Sequence, residues 1–563
     1  MTRMQPPWRP ARLATALTIA TLASAPTPAV TFRIGEIEGQ LDSNLAIGAS
    51  WALRNPDPSL LHDPASDDGR RNFKKGETFS KVFKGIHDLE LKYGESGVFL
   101  RGKYWYDFEL KDESRLFKDI DEHNRKEAAR SSGAELLDAF AYHNYLLGDL
   151  PGTTRLGRQV VSWGESTFIQ GGINTINPVD ISAFRRPGSE IKEGLIPVNM
   201  LYLSQNLTEE VSVEGFYQLE WDQTVIDNCG TFFSSTDVMA DGCSGLDAPL
   251  GITIPRTGDR DARDGGQWGT ALRWFAPELD SEFAAYFINY HSRMPYFGTV
   301  GATTAGDLGS AKYFAEYPED IQLYGLSVST MLPTGTTLAG EISYRPNLPV
   351  QISPVDLVLA SSGLPALSPV LFSGGVRLAG GSDITGYRRK EVTQAQVTAT
   401  HFLDQVMGAD RLTMVGEVGV VHVGGLEGRG GLRYGRSTAF GQGTLYPDNG
   451  LCMSLSNAAT PQNCTDDGFV TSTSWGYRVR AIWEYSNLIP GVDLRPNLAW
   501  SHDVGGYGNE IGFNEGAKAI SLGIEASILN TYSANLSYTD FFGGDYNTNI
   551  DRDFVALSFG VAF

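Results

Sequence analysis

The stretch Asp553-Phe554-Val555-Ala556-Leu557-Ser558-Phe559-Gly560-Val561-Ala562-Phe563 alternates between large apolar and small or polar side chains almost without error. A strand sends successive side chains to opposite faces, so Val555, Leu557, Phe559, Val561 and Phe563 share one face and Ala556, Ser558, Gly560 and Ala562 the other. Two environments suit such a strand: a half-buried soluble sheet, or the wall of a barrel with lipid on one side. The rest of the chain separates them.

The same alternation recurs in adjacent pairs throughout the sequence. Leu41, Leu45, Ile47, Ala49, Trp51 and Leu53 share a face, and the spacing predicts strands at 83–93 with 98–110 and 134–147 with 153–161. Further pairs fall at 196–205 with 209–221, 267–275 with 282–291, 321–331 with 336–345, 389–403 with 411–423, 475–485 with 492–503, and 517–529 with 531–541. With the terminal strand this makes about eighteen, within 16–18. Every short connection (94–97, 148–152, 206–208, 277–281, 333–335, 487–491) falls at one end of the pairs, and the long ones (54–82, 111–133, 222–266, 346–388, 424–474) fall at the other. Loops sorted by parity point to an all-β fold, a transmembrane antiparallel β-barrel with short periplasmic turns and long extracellular loops. A soluble sandwich has no reason to sort them so.

Individual strands are two-sided in the way a wet lumen requires. Trp475, Tyr477, Val479, Ala481, Trp483 and Tyr485 oppose Arg478, Arg480 and Glu484, and Val213, Tyr217, Leu219 and Trp221 oppose Glu214, Gln218, Glu220 and Asp222. Pro496 lacks the donor that a strand interior needs and predicts a bulge.

The N-terminus agrees. Arg3, Arg9 and Arg12 precede an apolar run from Leu13 to Leu22 and the small residues Ala23-Ser24-Ala25, so residues 1–25 read as a secretory leader and 26–563 as the barrel. A membrane anchor is the alternative, but the run is too short to cross a core of roughly 30 Å as a helix. The formal charge is −21, and about −24 without those three arginines, which argues against a nucleic-acid partner. Cys229 with Cys243 and Cys452 with Cys464 form two local pairs in polar stretches, as expected of disulfides stapling long loops in an oxidising compartment; no His stands beside either pair at zinc-ligand spacing. The aromatic end, with Phe559, Val561 and Phe563 on one face, resembles the insertion signal that the barrel assembly machinery of Gram-negative bacteria reads, which places the chain among outer-membrane lipids.

One stretch breaks the hairpin rhythm. Residues 158–195 carry both charge signs and lack the Ser/Asn looseness of the other long connections. Such a segment can fold into the lumen as a constriction, with Arg158, Glu165, Asp180, Arg185, Arg186 and Glu190 in one polar network and Trp163 and Lys192 beside it. A structural outer loop held by its own salt bridges is the alternative.

This segment, with 102–108, 197–202, 216–221 and 229–233, resembles a proteobacterial family known as domain-of-unknown-function family 1302, over about Phe32 to Phe563. The resemblance implies an outer-membrane barrel working with a periplasmic or outer-membrane lipoprotein and, in some cases, an exporter of the resistance-nodulation-division type. A more distant likeness to long-chain fatty acid transporter barrels implies a hydrophobic or lipid-like solute.

Catalysis finds no constellation in the residues. His87, His143, His291, His401, His422 and His502 are scattered over strands, Gly164-Glu165-Ser166-Thr167 lacks the second glycine of a nucleophile elbow, and acids such as Glu36 with Glu38 or the run 118–122 read as solvated surface. The expectation is a channel without cofactor, metal or chemical step. A surface adhesin acting through its stapled loops, or an outer-membrane hydrolase, is the competing class.

Overall fold

The computed structural model describes residues 30–61, 67–248, 251–373, 380–446, 449–455, 462–509 and 512–563, so the leader expected at 1–25 lies outside the described residues. The alternating segments form eighteen strands: β1 (Ile37–Ala52), β2 (Thr78–Tyr93), β3 (Ser96–Asp107), β4 (Ser132–Leu147), β5 (Leu150–Gln159), β6 (Val198–Asn206), β7 (Val211–Gln218), β8 (Trp268–Ala276), β9 (Ser281–Tyr290), β10 (Ile321–Met331), β11 (Thr337–Gln351), β12 (Tyr387–Asp404), β13 (Arg411–Val423), β14 (Thr473–Ile489), β15 (Val492–Gly505), β16 (Lys518–Ile528), β17 (Tyr532–Phe542) and β18 (Phe554–Ala562). Each pairs antiparallel with the next, and β18 returns to β1 from Asn44↔Ala562 to Ala52↔Phe554, closing the barrel. Closure leaves no unpaired barrel edge, the condition for a sheet in lipid. At the seam, Ser43 and Phe563 exchange backbone hydrogen bonds of 2.8 and 2.9 Å. A short strand, Val30–Ile34, folds back on the start of β1 outside this ring.

Turn chemistry sorts the ends. The β2–β3 and β4–β5 turns have two residues each, with Gly94 at φ 56 and Gly148 at φ 67 in the first position, a conformation open to glycine at little cost. All short connections share this end, and the long connections share the other.

The two faces differ as lipid and lumen should. Outward residues are aliphatic at mid-height, with Leu156, Leu326 and Val397 at least half exposed. Aromatic residues flank this band, with Tyr217, Trp268, Tyr324 and Trp475 toward the long loops and Tyr93, Trp274, Tyr532 and Phe563 toward the short turns. Inward residues on β10 to β13 are buried, among them Glu341, Thr398 and Glu417.

Two irregularities sit at prolines. β11 runs six residues past the expected end at Arg345: it bulges between Arg345 and Leu348 around Pro346, then re-pairs through Pro349↔Arg389 to Gln351↔Tyr387. At Pro496 the expected bulge is instead a gap in the β14–β15 ladder between Ile482↔Asn497 and Tyr485↔Leu494 with the register kept across it; the shifts in this ladder lie between Trp475 and Gly476 and between Tyr485 and Ile489. The missing donor interrupts pairing without adding a residue.

Candidate functional site

The connection between β5 and β6, residues 160–197, turns into the barrel. Irregular backbone in a lumen must find partners for its N–H and C=O groups, and here the inward face of the wall supplies them. The N–H groups of Glu165 and Ile173 donate to the Glu341 carboxylate on β11 at 2.6 and 2.9 Å. Those of Thr167, Phe168 and Ile169 donate to Glu417 on β13 at 2.9, 2.6 and 2.7 Å. Carbonyls are met by inward donors: Gln394 to Gln170 at 2.9 Å, Gln218 to Ile176 at 2.8 Å, and Arg345 to Gly172. The chain passes so close to Glu341 that a Cβ at Gly172 would lie 1.9 Å from its Oε1, so any side chain there would have to displace the carboxylate.

The second half of the segment is pinned to the opposite wall by charge. Asp180 caps the short helix α1 (Ile181–Arg185) by accepting from the Ala183 N–H at 2.9 Å, and also receives Lys103 of β3 at 3.0 Å. Lys84 of β2 donates to Glu193 and to the Gly188 carbonyl, both at 2.7 Å. Both lysines are buried, and each has a carboxylate and a carbonyl, the compensation that a buried charge requires. The segment therefore bridges the bore from β11 and β13 to β2 and β3.

The expected single polar network is not what forms. Arg158 stands on the outward side of β5, in register with Ala139 and Asn199, and its guanidinium donates to the Pro197 carbonyl. Trp163 is fully buried against Phe216 and Tyr286 and donates to Glu214 at 2.7 Å, an anchor rather than a lining residue. Glu165 contributes its backbone to Glu341. Arg185 pairs with Asp227 at 3.5 Å and covers Phe233, while Arg186 lies over Trp105. Glu190 receives Asn44, and Lys192 sits 3.3 Å from Glu190 and 3.5 Å from Asp88. Of the expected network only Glu190 and Lys192 touch each other in an ion pair; Asp180 and Arg185 meet charged partners on a distant strand and loop, Lys103 and Asp227. Glu341, Glu417, Lys84 and Lys103 were missed in the sequence because a buried inward charge on a strand looks the same there as a hydrated one.

One sector of the wall is left bare. β15, β16 and β17 contain no buried residue on either face. Among the described residues, no hydrogen bond or ion pair joins 160–197 to these three strands. Their inward positions are mostly small and polar: Asn497, Ala499 and Ser501 on β15, Ser521 and Gly523 on β16, Asn535, Ser537 and Thr539 on β17. Lipid on one side and open space on the other leave both faces accessible.

Over the long-loop end, the connections lock together. Arg552 pairs with Asp67 at 2.6 Å and Arg70 with Asp551 at 3.3 Å, around the Phe232 ring. Burial pushes the Asp67 carboxyl up to about 6, against the pull of Arg552. Disulfides join Cys229 to Cys243 and Cys452 to Cys464, the local pairing expected from their spacing.

A family model described as "Protein of unknown function (DUF1302)" matches residues 9–563. No curated protein matches the chain. Among solved structures, the chain is similar to OccAB1 of Acinetobacter baumannii, with 9% identity, a TM-score of 0.42 and coverage of 96% of this chain and 99% of that one. It is also similar to a BenF-like porin from Pseudomonas fluorescens Pf-5, with 9% identity, a TM-score of 0.43 and coverage of 94% and 98%. For the outer membrane channel DcaP of Acinetobacter baumannii the values are 10%, 0.34, 94% and 99%.

Proposed function

The chain belongs to the family described as "Protein of unknown function (DUF1302)", which assigns no solute, and we propose that it is a channel in the outer membrane of a Gram-negative bacterium. Solutes pass between the segment 160–197 and the bare wall of β15 to β17, and that segment is the constriction. The observation that carries this reading is the absence of any buried residue on those three strands, while the inward faces of β10 to β13 are buried. A barrel built only as an anchor or adhesin has no need to keep one sector of its interior clear along whole strands.

The lining supports a small polar or charged solute more than the hydrophobic, lipid-like one expected from the distant likeness. Asn497, Ser501, Ser521, Asn535 and Ser537 offer hydrogen bonds along the open path, and they form no apolar stripe for a greasy cargo. The mechanism is passive diffusion, without a chemical step. A periplasmic lipoprotein, an exporter of the resistance-nodulation-division type and the barrel assembly machinery belong to the proposal as partners; the first two rest on the family resemblance and the third on the terminal strand.

Planar-bilayer recording of the purified, folded barrel tests the reading. A channel gives discrete, reproducible current steps. A closed-barrel preparation, verified by heat-modifiable gel migration, that passes no current refutes it and leaves the adhesin or anchor.

A further inference from the structure

Of the inward arginines on and beside the bare wall, Arg478, Arg480 and Arg495, two are held by acids and one is not. Arg480 is the eighth of the seventeen residues of β14, in register with Ala499 on β15 and Val415 on β13, and its side chain is exposed. Among the described residues no hydrogen bond or ion pair reaches its guanidinium. The neighbouring cations differ: Arg478 is held by Asp503 at 2.6 Å, and Arg495 lies 3.8 Å from Glu525.

The acids around Arg480 are engaged elsewhere. Glu417 is taken up by three backbone N–H groups of the constriction and Asp503 by Arg478 and the Asn514 N–H; Glu525, which pairs with Arg495 at 3.8 Å, also attracts Arg480 through space but makes no hydrogen bond or ion pair with it. Glu484 stands four residues further toward the short turns, roughly 13 Å along the strand. A guanidinium presents a planar fork of donors that matches carboxylate and phosphate oxygens. Held at mid-bore on a rigid strand, between the small Ala499 and Val415, its fork of donors has no carboxylate of the described residues bonded to it.

We propose that Arg480 is the residue that selects the solute, pairing in passing with the oxyanion of a small organic carboxylate or phosphate. This rests on the channel reading above. The rest of the molecule pushes the other way: its net charge of −21 raises the local concentration of cations. Anion selection in this barrel thus needs a specific local source.

The test is the reversal potential of the full-length channel in a potassium chloride gradient, followed by potassium acetate and potassium phosphate. Arg480→Gln is expected to raise the cation-to-anion permeability ratio about 3-fold and Arg480→Glu about 10-fold, the size of a single charge at close range in a hydrated bore. Arg480→Lys keeps the wild-type ratio to chloride and loses part of the preference for the organic or phosphate anion, since it lacks the fork. A larger loss with acetate identifies a carboxylate solute, and a larger loss with phosphate a phosphorylated one. If wild type conducts and Arg480→Gln conducts with an unchanged reversal potential for all three salts, the assignment of Arg480 is wrong while the channel stands. If wild type passes no current, it is the channel that fails.

Discussion

Replacing Glu417 by alanine should free the constriction without unfolding the barrel. The carboxylate is 2% exposed and accepts the N–H groups of Thr167, Phe168 and Ile169 at 2.9, 2.6 and 2.7 Å, with the Thr398 hydroxyl at 3.1 Å. Hydrogen bonds to a charged group contribute about 1.5–3 kcal/mol each, so three of them hold this turn with about 4–9 kcal/mol. Water from the open side of the bore recovers part of that when the carboxylate is gone, leaving a loss of about 3–5 kcal/mol. Each ~1.4 kcal/mol is a factor of ten in population, so the population of the undocked segment rises by a factor on the order of 10² to several 10³. Single-channel recording reads this as flicker between two conductance levels, or a higher mean level, in Glu417→Ala. Glu417→Gln, which keeps one acceptor oxygen, falls between. Heat-modifiable migration stays that of wild type, because no ladder bond is touched. A Glu417→Ala trace with wild-type conductance and dwell times would show that this carboxylate does not hold the constriction, or that the segment does not limit current.

Lys103→Met leaves Asp180 buried and uncompensated, and should cost about 3–5 kcal/mol locally; protease cleavage within 160–197 reports it, and Lys103→Met with Asp180→Asn should recover much of the protection. The outer loops should grow more protease-resistant as pH falls from 7.5 to 5. Asp67 has its carboxyl raised to about 6 from 3.8 by burial, so the folded chain binds that proton more tightly than the unfolded chain, and stability is lost as pH rises through about 6. The shift corresponds to at most about 3 kcal/mol. Asp67→Asn should flatten the profile, and wild-type loops that weaken on acidification would contradict the sign. Replacing Cys452 and Cys464 by serine opens a loop of 12-residue separation, worth about 3 kcal/mol of chain entropy; it should sensitise 424–472 to protease and leave conductance unchanged.

The strands were legible because a lipid-facing wall imposes a strict period of two, and because parity sorts loops only in a barrel. Strand ends were less so: at Pro346 and Pro349 the sequence reads as a break, whereas β11 accommodates the first in a bulge and re-pairs through the second at its rim. The strand Val30–Ile34 was missed, being short and exposed on its whole length. The segment 160–197 stood out by its mixed charge, but not its partners. Asp180 with Lys103 and Glu193 with Lys84 are separated by 77 and 109 residues, and no local spacing links them. Arg158 was misplaced because it adjoins the segment in sequence yet occupies an outward position on β5. Arg480 is legible as an inward charge; that no hydrogen bond or ion pair among the described residues reaches it emerges only from the fold.

Cysteine accessibility tests the central claim most directly, since the described native cysteines are all in disulfides and give no background. Ser521 and Ser537 face the open side of the bore, Thr398 faces inward beneath the constriction, and Leu522 faces outward. With the barrel in a lipid bilayer, a charged, water-soluble thiol reagent should modify Ser521→Cys and Ser537→Cys rapidly and spare Thr398→Cys and Leu522→Cys. Unreactive cysteines at 521 and 537, or a reactive one at 522, would contradict a hydrated path along β15 to β17.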